Sequence, residues 1–248
     1  MGQELDDGTK AASLAAWELM CHPKKKGGIA VIDLRVQNQG LLLQQMHKFY
    51  NRMDLPWVKL VWSAYYIGLI PHATDPCGSF WWRDIMQLSN VFRGISKVTV
   101  GDGTSVLFWK DVWFEHDQEA PLSEIYPRVF SFSTNEDVSV CDALEATDPA
   151  MLFHLPLSTQ AREEVREIQQ GSMHVIPERG AVHLWVCTLG GKFSAKNYYN
   201  HCFRETIADD AFLWLWKAKS PIKFKMFGWL LMVDRLHTRN MLNRHHFN

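Results

Sequence analysis

The stretch Lys97-Val-Thr-Val-Gly-Asp-Gly-Thr-Ser-Val-Leu-Phe-Trp109 carries the clearest structural signal in the chain. Two runs rich in β-branched and aromatic residues flank an Asp-Gly turn, and this arrangement is typical of a β-hairpin. A second pair of such runs, on either side of a Gly-Gly pair, covers residues 182–194. The sequence therefore predicts two hairpins, one near 97–109 and one near 182–194.

Most of the remaining chain has the hydrophobic spacing of helices. Residues 39–51 place apolar side chains three and four positions apart, which predicts a helix with one buried face. Pro56 suits the first turn of the next helix, and Ser79 suits the N-cap of a third. These patterns predict an α+β fold that is mostly helical, in which short helices pack with the two hairpins.

Length and composition indicate a folded chain. The chain has 248 residues, which is enough for one large domain or two small ones. Hydrophobic residues make up 47% of it and include eleven Trp, a residue that is costly to leave in water. We therefore expect packed structure through much of the chain.

The charges are unevenly distributed along the chain. The net charge is −1, which by itself predicts no polyanionic partner. Residues 61–210, however, carry eleven Lys/Arg and twenty Asp/Glu, whereas residues 211–248 carry seven Lys/Arg and one Asp/Glu. A basic C-terminal end beside an acidic middle segment favours contact with nucleic acid.

Cysteine usage and hydropathy predict an intracellular protein, either nuclear or cytoplasmic. The five cysteines are odd in number and scattered, with no Cys-x-x-Cys pair, which argues against a secreted disulfide framework. The polar, acidic N-terminus does not resemble a signal peptide. The longest wholly apolar runs are only a few residues, so no transmembrane segment and no membrane partner are predicted.

Lysines and arginines near the two ends of the chain are the candidate nucleic-acid ligands. Lys223 and Lys225 follow Pro221 at the start of a predicted helix, where free backbone N–H groups attract phosphate. The alternative, a solvated basic face on a core helix, stays open. The candidates are Lys217, Lys219, Lys223, Lys225, Arg235, Arg239, Arg244, Lys24, Lys25 and Lys26.

Catalytic patterns are weak. Asp209-Asp210 could be taken for a carboxylate pair that binds catalytic metal ions, but it precedes a Trp-rich helix, where an N-cap role is favoured. The adjacent Cys21-His22 does not predict a nucleophilic pair, because neighbours in sequence seldom point at each other. Trp214, Trp216 and Trp229 could stack on bases, but their helical spacing predicts core packing.

Zinc ligands are not predicted either. A structural zinc site needs about four Cys or His ligands in closed geometry. The available set lacks the spacing of such a site and consists of His237, His245, His246, Cys187 and Cys202. Core cysteines and surface histidines explain these residues better.

A series of short motifs occurs in order along the chain. It includes Trp17-x3-Cys21-x-Pro23-Lys24-x2-Gly27-Gly28, Asp33-Leu34-x3-Asn38-x2-Leu41-Leu42, Pro56-Trp57, Ser79-Phe80-Trp81, Val100-Gly101-Asp102-Gly103, Phe108-Trp109-x-Asp111-x-Trp113 and Tyr126-Pro127. In this order the motifs resemble the C-terminal part of plant LINE-type (non-LTR) retrotransposon reverse transcriptases. The closing stretch, Gly191 to Leu242, is similar to the start of that family's reverse-transcriptase zinc-binding domain.

This resemblance implies a particular place in a larger enzyme. In the family, the catalytic carboxylates belong to a palm domain upstream of the Trp17 region, and the zinc ligands follow the Leu242 region. We therefore expect a truncated, non-catalytic remnant of an RNA-directed DNA polymerase, without an endonuclease. No cofactor is expected, since the family's zinc ligands would lie beyond Asn248.

The resemblance also implies three segments and leaves two functions open. Residues 1–135 correspond to the connection region after the palm, 136–180 to a surface helical linker, and 181–248 to a truncated reverse-transcriptase zinc-binding domain. In one hypothesis the basic C-terminal helices contact RNA or DNA backbone. In the other, the chain is a structural or interaction fragment with no nucleic-acid-binding activity, and it associates with a protein partner or with itself through an exposed Trp-rich surface.

Overall fold

The structure, a computed structural model, describes residues 15–67, 70–71, 78–190, 193–205 and 209–236. The chain divides into two compact units. Unit 1 combines Met1–Val36 with Cys202–Asn248, and unit 2 is Gln37–His201. The division at residues 135 and 180, which comes from the resemblance, stays a prediction.

Short helices make up most of the described secondary structure. The helices are α1 Trp17–Cys21, α2 Leu34–Tyr50, α3 Pro56–Tyr65, α4 Phe80–Met86, α5 Ser89–Gly94, α6 Leu122–Ile125, α7 Pro127–Phe130, α8 Val140–Glu145, α9 Thr159–Ser172, α10 Ala195–Cys202, α11 Asp210–Lys217 and α12 Ile222–Met232. Two 3₁₀ turns cover Lys24–Lys26 and Pro149–Met151, and the strands are β1 Ser96–Thr99 and β2 Leu184–Cys187. The predicted mostly helical α+β class is confirmed.

The predicted pairing of the strands is wrong. β1 does not fold back on residues 105–109 but pairs antiparallel with β2, with Ser96 opposite Cys187 and Thr99 opposite Leu184. The same pairing replaces the second predicted hairpin. The two β-rich regions of the sequence therefore meet in one long-range, two-stranded sheet.

The loop after β1 explains why the local hairpin does not form. The backbone N–H of Asp102 donates to Ala181 O at 3.1 Å, and that of Glu178 donates to Gly101 O at 3.0 Å, so the loop lies against the segment before β2. The other predicted arm pairs elsewhere, because Phe108 N donates to Val138 O at 2.9 Å. The Asp-Gly turn remains, but it leads the chain to a different partner.

A cluster of aromatic side chains forms the core of unit 2. The Tyr50 and Phe92 rings stack with centroids 4.9 Å apart, and Trp185 from β2 lies 5.0 Å from Tyr50. Phe49 stacks on Trp62 at 4.6 Å. Because each large aromatic removes about 150–250 Å² from water, this cluster accounts for much of the stabilisation of the sheet against α2 and α5.

A buried ion pair lies beneath this cluster. The Arg93 guanidinium contacts the Asp111 carboxylate, and both side chains are almost fully buried. Arg93 also donates to Pro71 O at 2.8 Å and lies over the rings of Tyr50 and Trp185. Burial by itself would lower the pKa of Arg93, but the neighbouring Asp111 carboxylate raises it above its ordinary value. Arg93 is therefore charged in the folded protein.

A second buried pair joins the loop after β1 to the residue before β2. His183 Nε2 lies 2.9 Å from Asp102 Oδ1, and His183 Nδ1 accepts the backbone N–H of Gly101 at 2.9 Å. Burial lowers the pKa of His183 below its ordinary value and outweighs the attraction of Asp102. Because Nδ1 accepts the Gly101 N–H, the neutral ring carries its proton on Nε2, the nitrogen that faces Asp102.

Helix caps follow the sequence closely. Ser79 accepts the backbone N–H of Trp82 and so caps α4, as predicted. Ser139 and Ser158 cap α8 and α9 in the same way. Within the described ranges, no helix is long and apolar enough to cross a membrane.

Candidate nucleic-acid interface

Unit 1 places the N-terminal lysine turn beside the C-terminal helices. Gly27, just after Lys24–Lys26, accepts a hydrogen bond from Trp229 Nε1 on α12 at 2.7 Å. Gly27 has a φ of +86°, and a Cβ at this position would lie 3.2 Å from the Phe212 ring on α11. A glycine is therefore required where the turn meets α11. Two candidate basic segments almost 200 residues apart thus belong to one compact unit.

The lysine turn supplies two exposed cations. Lys24 and Lys25 are both exposed to solvent. Lys24 Nζ lies over the Trp216 ring, 5.2 Å from its centroid, which orients the side chain along α11. Both lysines are therefore accessible to a polyanion, and Lys24 is held next to α11.

Two of the predicted ligands have structural partners. Lys26 Nζ donates to Phe203 O and, at 2.5 Å, to Arg204 O, which follow the end of α10. Lys225 Nζ donates to Trp216 O in the last turn of α11 at 3.0 Å. Carbonyl groups at the ends of helices attract cations, so both lysines stabilise unit 1. A phosphate would have to compete for them.

The remaining candidates form two groups: four that are exposed to solvent and two that lie outside the described residues. Lys217, Lys219, Lys223 and Arg235 are exposed. Lys223 Nζ lies 5.4 Å from the centroid of the Phe224 ring. Arg239 and Arg244 lie outside the described residues. With Lys24 and Lys25, the exposed candidates number six; we call these the exposed cations of unit 1.

Carboxylates reduce the positive charge at one end of α11. Asp209 accepts the backbone N–H of Ala211 at 2.8 Å and caps the helix, as the sequence favoured. Asp210 follows in the first turn and is exposed. The positive end of the helix dipole stabilises both carboxylates at the start of α11, and Lys217 lies in the last turn, at the negative end.

The candidate zinc ligands do not form a site in the described part of the chain. Cys187 is buried in β2, and Cys202 is exposed at the end of α10 in the other unit. His237, His245 and His246 lie outside the described residues. Among the residues that the structure describes, no three His, Cys, Asp or Glu side chains form a group that could hold a metal ion.

The Cys21-His22 pair is not arranged as an activated nucleophile. Burial, followed by the nearby Asp33 carboxylate, raises the pKa of the Cys21 thiol above its ordinary value. A raised pKa leaves less thiolate, which is the reactive form. The His22 ring packs against Phe203 with centroids 5.6 Å apart.

Trp214 contradicts the prediction that the C-terminal tryptophans fill the core. Trp229 is 1% exposed and does so, but Trp214 is 84% exposed, the largest value among the described large apolar side chains. The helical spacing alone did not distinguish them, because α11 packs through its neighbours Phe212, Leu215 and Trp216 and turns position 214 outward. Sequence reasoning therefore missed this residue as a surface feature.

The outer face of α12 is also apolar. Phe224, Phe227 and Leu231 follow one another at helical spacing, and each is between 57% and 58% exposed. Apolar side chains occur on all sides of this helix, whereas a helix on the surface of a globular protein normally has one polar face. The face formed by these three residues is called the outer α12 face below.

Comparison with known proteins gives two likenesses. Residues 193–248 match the sequence family described as zinc-binding in reverse transcriptase. A protein of Arabidopsis thaliana, named as a ribonuclease H protein, is 25% identical over 257 aligned positions that cover 96% of this chain. The chain spans 39% of the length of that relative. No solved structure matches. Together, the family match and this relative support a retrotransposon-derived protein.

Proposed function

We propose that the chain derives from a plant LINE-type reverse transcriptase and contacts nucleic-acid backbone through the exposed cations of unit 1. The observation that carries the proposal is the placement of the lysine turn and the C-terminal helices in one compact unit. Cations from both ends of the chain are then available to one polyanion. The match of residues 193–248 to a family of reverse-transcriptase segments supports the same partner class.

The chemistry of this surface suits phosphate rather than a specific base sequence. Lysine ammonium groups act as point charges and bind phosphate without reading base edges. Each phosphate neutralised releases condensed counterions, so binding weakens steeply with salt. RNA and DNA backbones both fit this description, and the proposal covers either.

The proposal assigns no catalysis to the chain. Two carboxylates that could hold catalytic metal ions have other roles: Asp111 pairs with Arg93, and Asp209 caps α11. A carboxylate committed to a buried cation or a helix cap is not free to bind a metal ion. The role we propose is therefore to hold nucleic acid, not to extend or cleave it.

Salt-dependent binding tests the proposal. The purified chain is titrated against labelled RNA and DNA over a series of salt concentrations. A linear fall of log K with log salt is expected, with a slope of about −0.9 for each duplex phosphate neutralised. A flat response, or no binding at low salt, would refute the proposal.

A matched pair of triple variants localises the contact. Lys217→Gln, Lys219→Gln and Lys223→Gln together remove three of the exposed cations, and the slope is expected to shrink by about 0.9 per lysine. The control removes the same charge from three lysines of unit 2 by Lys59→Gln, Lys97→Gln and Lys196→Gln. Equal losses for both variants would indicate an effect of net charge alone and would contradict the placement in unit 1.

Zinc is a further part of the proposal. The family matched by residues 193–248 is described as zinc-binding. Within that range the Cys and His side chains that the structure describes are His201 and Cys202, and no three potential ligands among the described residues form a group, whereas a closed site needs about four. These residues do not fit a zinc ion, and we propose that the chain holds none. Metal analysis of protein purified without chelator would contradict this if about one zinc per chain were found.

The outer α12 face favours a second function, that of an interaction fragment. Three large apolar side chains in one exposed stripe are unusual on a monomer and typical of a surface that binds another protein chain. In this alternative the chain associates with itself or a protein partner. Light scattering over a concentration series tests it: Phe227→Gln with Leu231→Gln should abolish any oligomer, whereas Met173→Gln, an exposed apolar residue of unit 2, should not. A wild-type chain that stays monomeric contradicts self-association.

A further inference from the structure

We infer that Trp214 is a stacking platform for an unpaired base, so that the basic surface of unit 1 binds single strands in preference to duplex. This inference rests on the proposed contact with nucleic acid and adds to it the kind of strand that is bound. The exposed cations alone do not distinguish a single strand from a duplex. An exposed aromatic ring beside them does distinguish the two, because it can stack on an unpaired base, whereas the bases of a duplex are already stacked on one another.

The exposure of Trp214 needs an explanation. Its indole is 84% exposed on an ordered helix, while Trp229 in the same unit is 1% exposed and Trp216 is partly covered by Lys24. Tryptophan is on average a well-buried residue. Trp216 on α11 is partly covered and Trp229 on α12 is buried, so unit 1 covers two of its tryptophans while Trp214 presents its ring to solvent.

The surroundings of the ring form a place for a flat group. Small Ala211 lies one turn before Trp214 on the same exposed side of α11, and its methyl group can cover little of the indole ring. Trp214, Ala211, Leu215 and Met232 line a shallow, largely apolar hollow between α11 and α12, with Asp210 at its edge. A base can lie in this hollow with one face against the indole.

Charges along the same stripe would orient a strand across the ring. Asp210, Trp214 and Lys217 occupy positions i, i+4 and i+7 of α11, and all three are exposed. Lys217 attracts a phosphate next to the stacked base, and Lys219 lies two residues further on. Asp210 repels phosphate but accepts hydrogen bonds from the amino groups of bases. The base is therefore directed toward the hollow and the backbone toward the lysines.

Paired binding measurements test the inference. A labelled single strand of about 16 nucleotides and the duplex of the same sequence are titrated with the full chain at about 50 mM salt. Trp214→Ala is expected to weaken single-strand binding by about 5- to 150-fold and to leave duplex binding unchanged. Trp214→Phe keeps a ring and should retain most of the affinity. Trp17→Ala, which removes another exposed tryptophan of unit 1, is the matched control and should change neither affinity.

Photocrosslinking provides a readout that does not depend on affinity. A single strand carrying 5-iodouracil should crosslink to the tryptic peptide that ends at Lys217 and contains Trp214. The crosslink should disappear in Trp214→Ala and persist in Trp17→Ala. A crosslink that forms only with other peptides overturns the inference.

The outcomes separate this inference from the function on which it rests. Failure of the wild type to bind either strand overturns both. Salt-dependent binding that is lost in the triple lysine variant but indifferent to Trp214→Ala overturns only the stacking role. If Trp214→Ala dissociates an oligomer and leaves nucleic-acid binding intact, Trp214 is a protein contact and the inference also fails.

Discussion

The Arg93–Asp111 pair predicts a large and specific loss of stability. Asp111→Asn keeps the size of the side chain but removes its charge, and so leaves the Arg93 guanidinium buried without a counterion. Removing one partner of a buried ion pair costs about 3–5 kcal/mol. Domains of this size are stabilised by about 5–15 kcal/mol in total, so this one change is expected to remove a large fraction of the stability of unit 2.

The structure shows why asparagine, rather than alanine, is the informative substitution. Asp111 Oδ2 also accepts the backbone N–H of Leu107 at 2.6 Å. An asparagine oxygen can still accept that bond, whereas alanine would leave the N–H unsatisfied at a further cost of about 1–3 kcal/mol. The loss in Asp111→Asn therefore reports the missing charge and not a missing backbone partner.

Urea unfolding followed by tryptophan fluorescence measures the effect. The midpoint for Asp111→Asn should fall while the slope m stays constant, since the same surface is exposed on unfolding. Glu119→Gln breaks the exposed ion pair with Lys97 and is the control; its expected loss is about 0–1 kcal/mol. An Asp111→Asn loss no larger than that of the control would refute the reasoning.

A double variant tests whether the charge itself is responsible. Arg93→Met with Asp111→Asn removes both charges, so the uncompensated guanidinium is gone. The double variant should be more stable than the sum of the two single losses predicts, because residues in direct contact are coupled by about 0.5–3 kcal/mol. Strict additivity would mean that the two residues stabilise unit 2 independently.

Two further predictions concern His183 and Gly27. Burial lowers the pKa of His183 in the folded protein below the ordinary 6.5. Above that pH the ring is neutral in both the folded and the unfolded protein, whereas just below it only the unfolded protein takes up the proton. The free energy of unfolding should therefore fall as the pH drops. The urea midpoint at pH 7.5 and about pH 5.5 measures this fall, and His183→Gln should reduce it; an equal fall in that variant would contradict the assignment. Gly27→Ala forces a side chain into a left-handed conformation close to Phe212 and should destabilise unit 1 by about 1–2 kcal/mol in thermal unfolding. Gly94→Ala, where a Cβ would meet nothing within 4 Å, is its control, and similar losses in the two would argue against strain at Gly27.

Local signals in the sequence predicted the local structure well. The helical class follows from the spacing of apolar residues, and the caps at Ser79 and Asp209 follow from side chains that accept nearby backbone N–H groups. The core position of Trp229 also follows from its helical spacing. Each of these features depends on residues within a few positions of one another, where the sequence and the physical cause coincide.

Features that depend on distant residues were not predictable in the same way. An Asp-Gly turn between β-rich runs favours a hairpin, but Asp102 and Gly101 bond instead to the segment just before β2. This choice depends on residues some 80 positions away. The exposure of Trp214 is of the same kind, since it is decided by how α11 packs, and an apolar residue in an apolar helix gives no local indication of it.

The positions of the carboxylates and the cations assign different roles to the two units. Asp102 and Asp111 belong to the ordered motifs that carry the resemblance, and each faces a basic side chain within unit 2. Both contacts join segments that are distant in sequence, so these two motif residues contribute to the folding of unit 2. The exposed cations at Lys24, Lys25 and the end of α11 belong to unit 1, and their side chains are open to solvent. If the chain holds nucleic acid, substitutions in the motifs of unit 2 should reduce binding only as far as they unfold the protein, whereas substitutions of the unit 1 cations should reduce binding in a chain that remains folded.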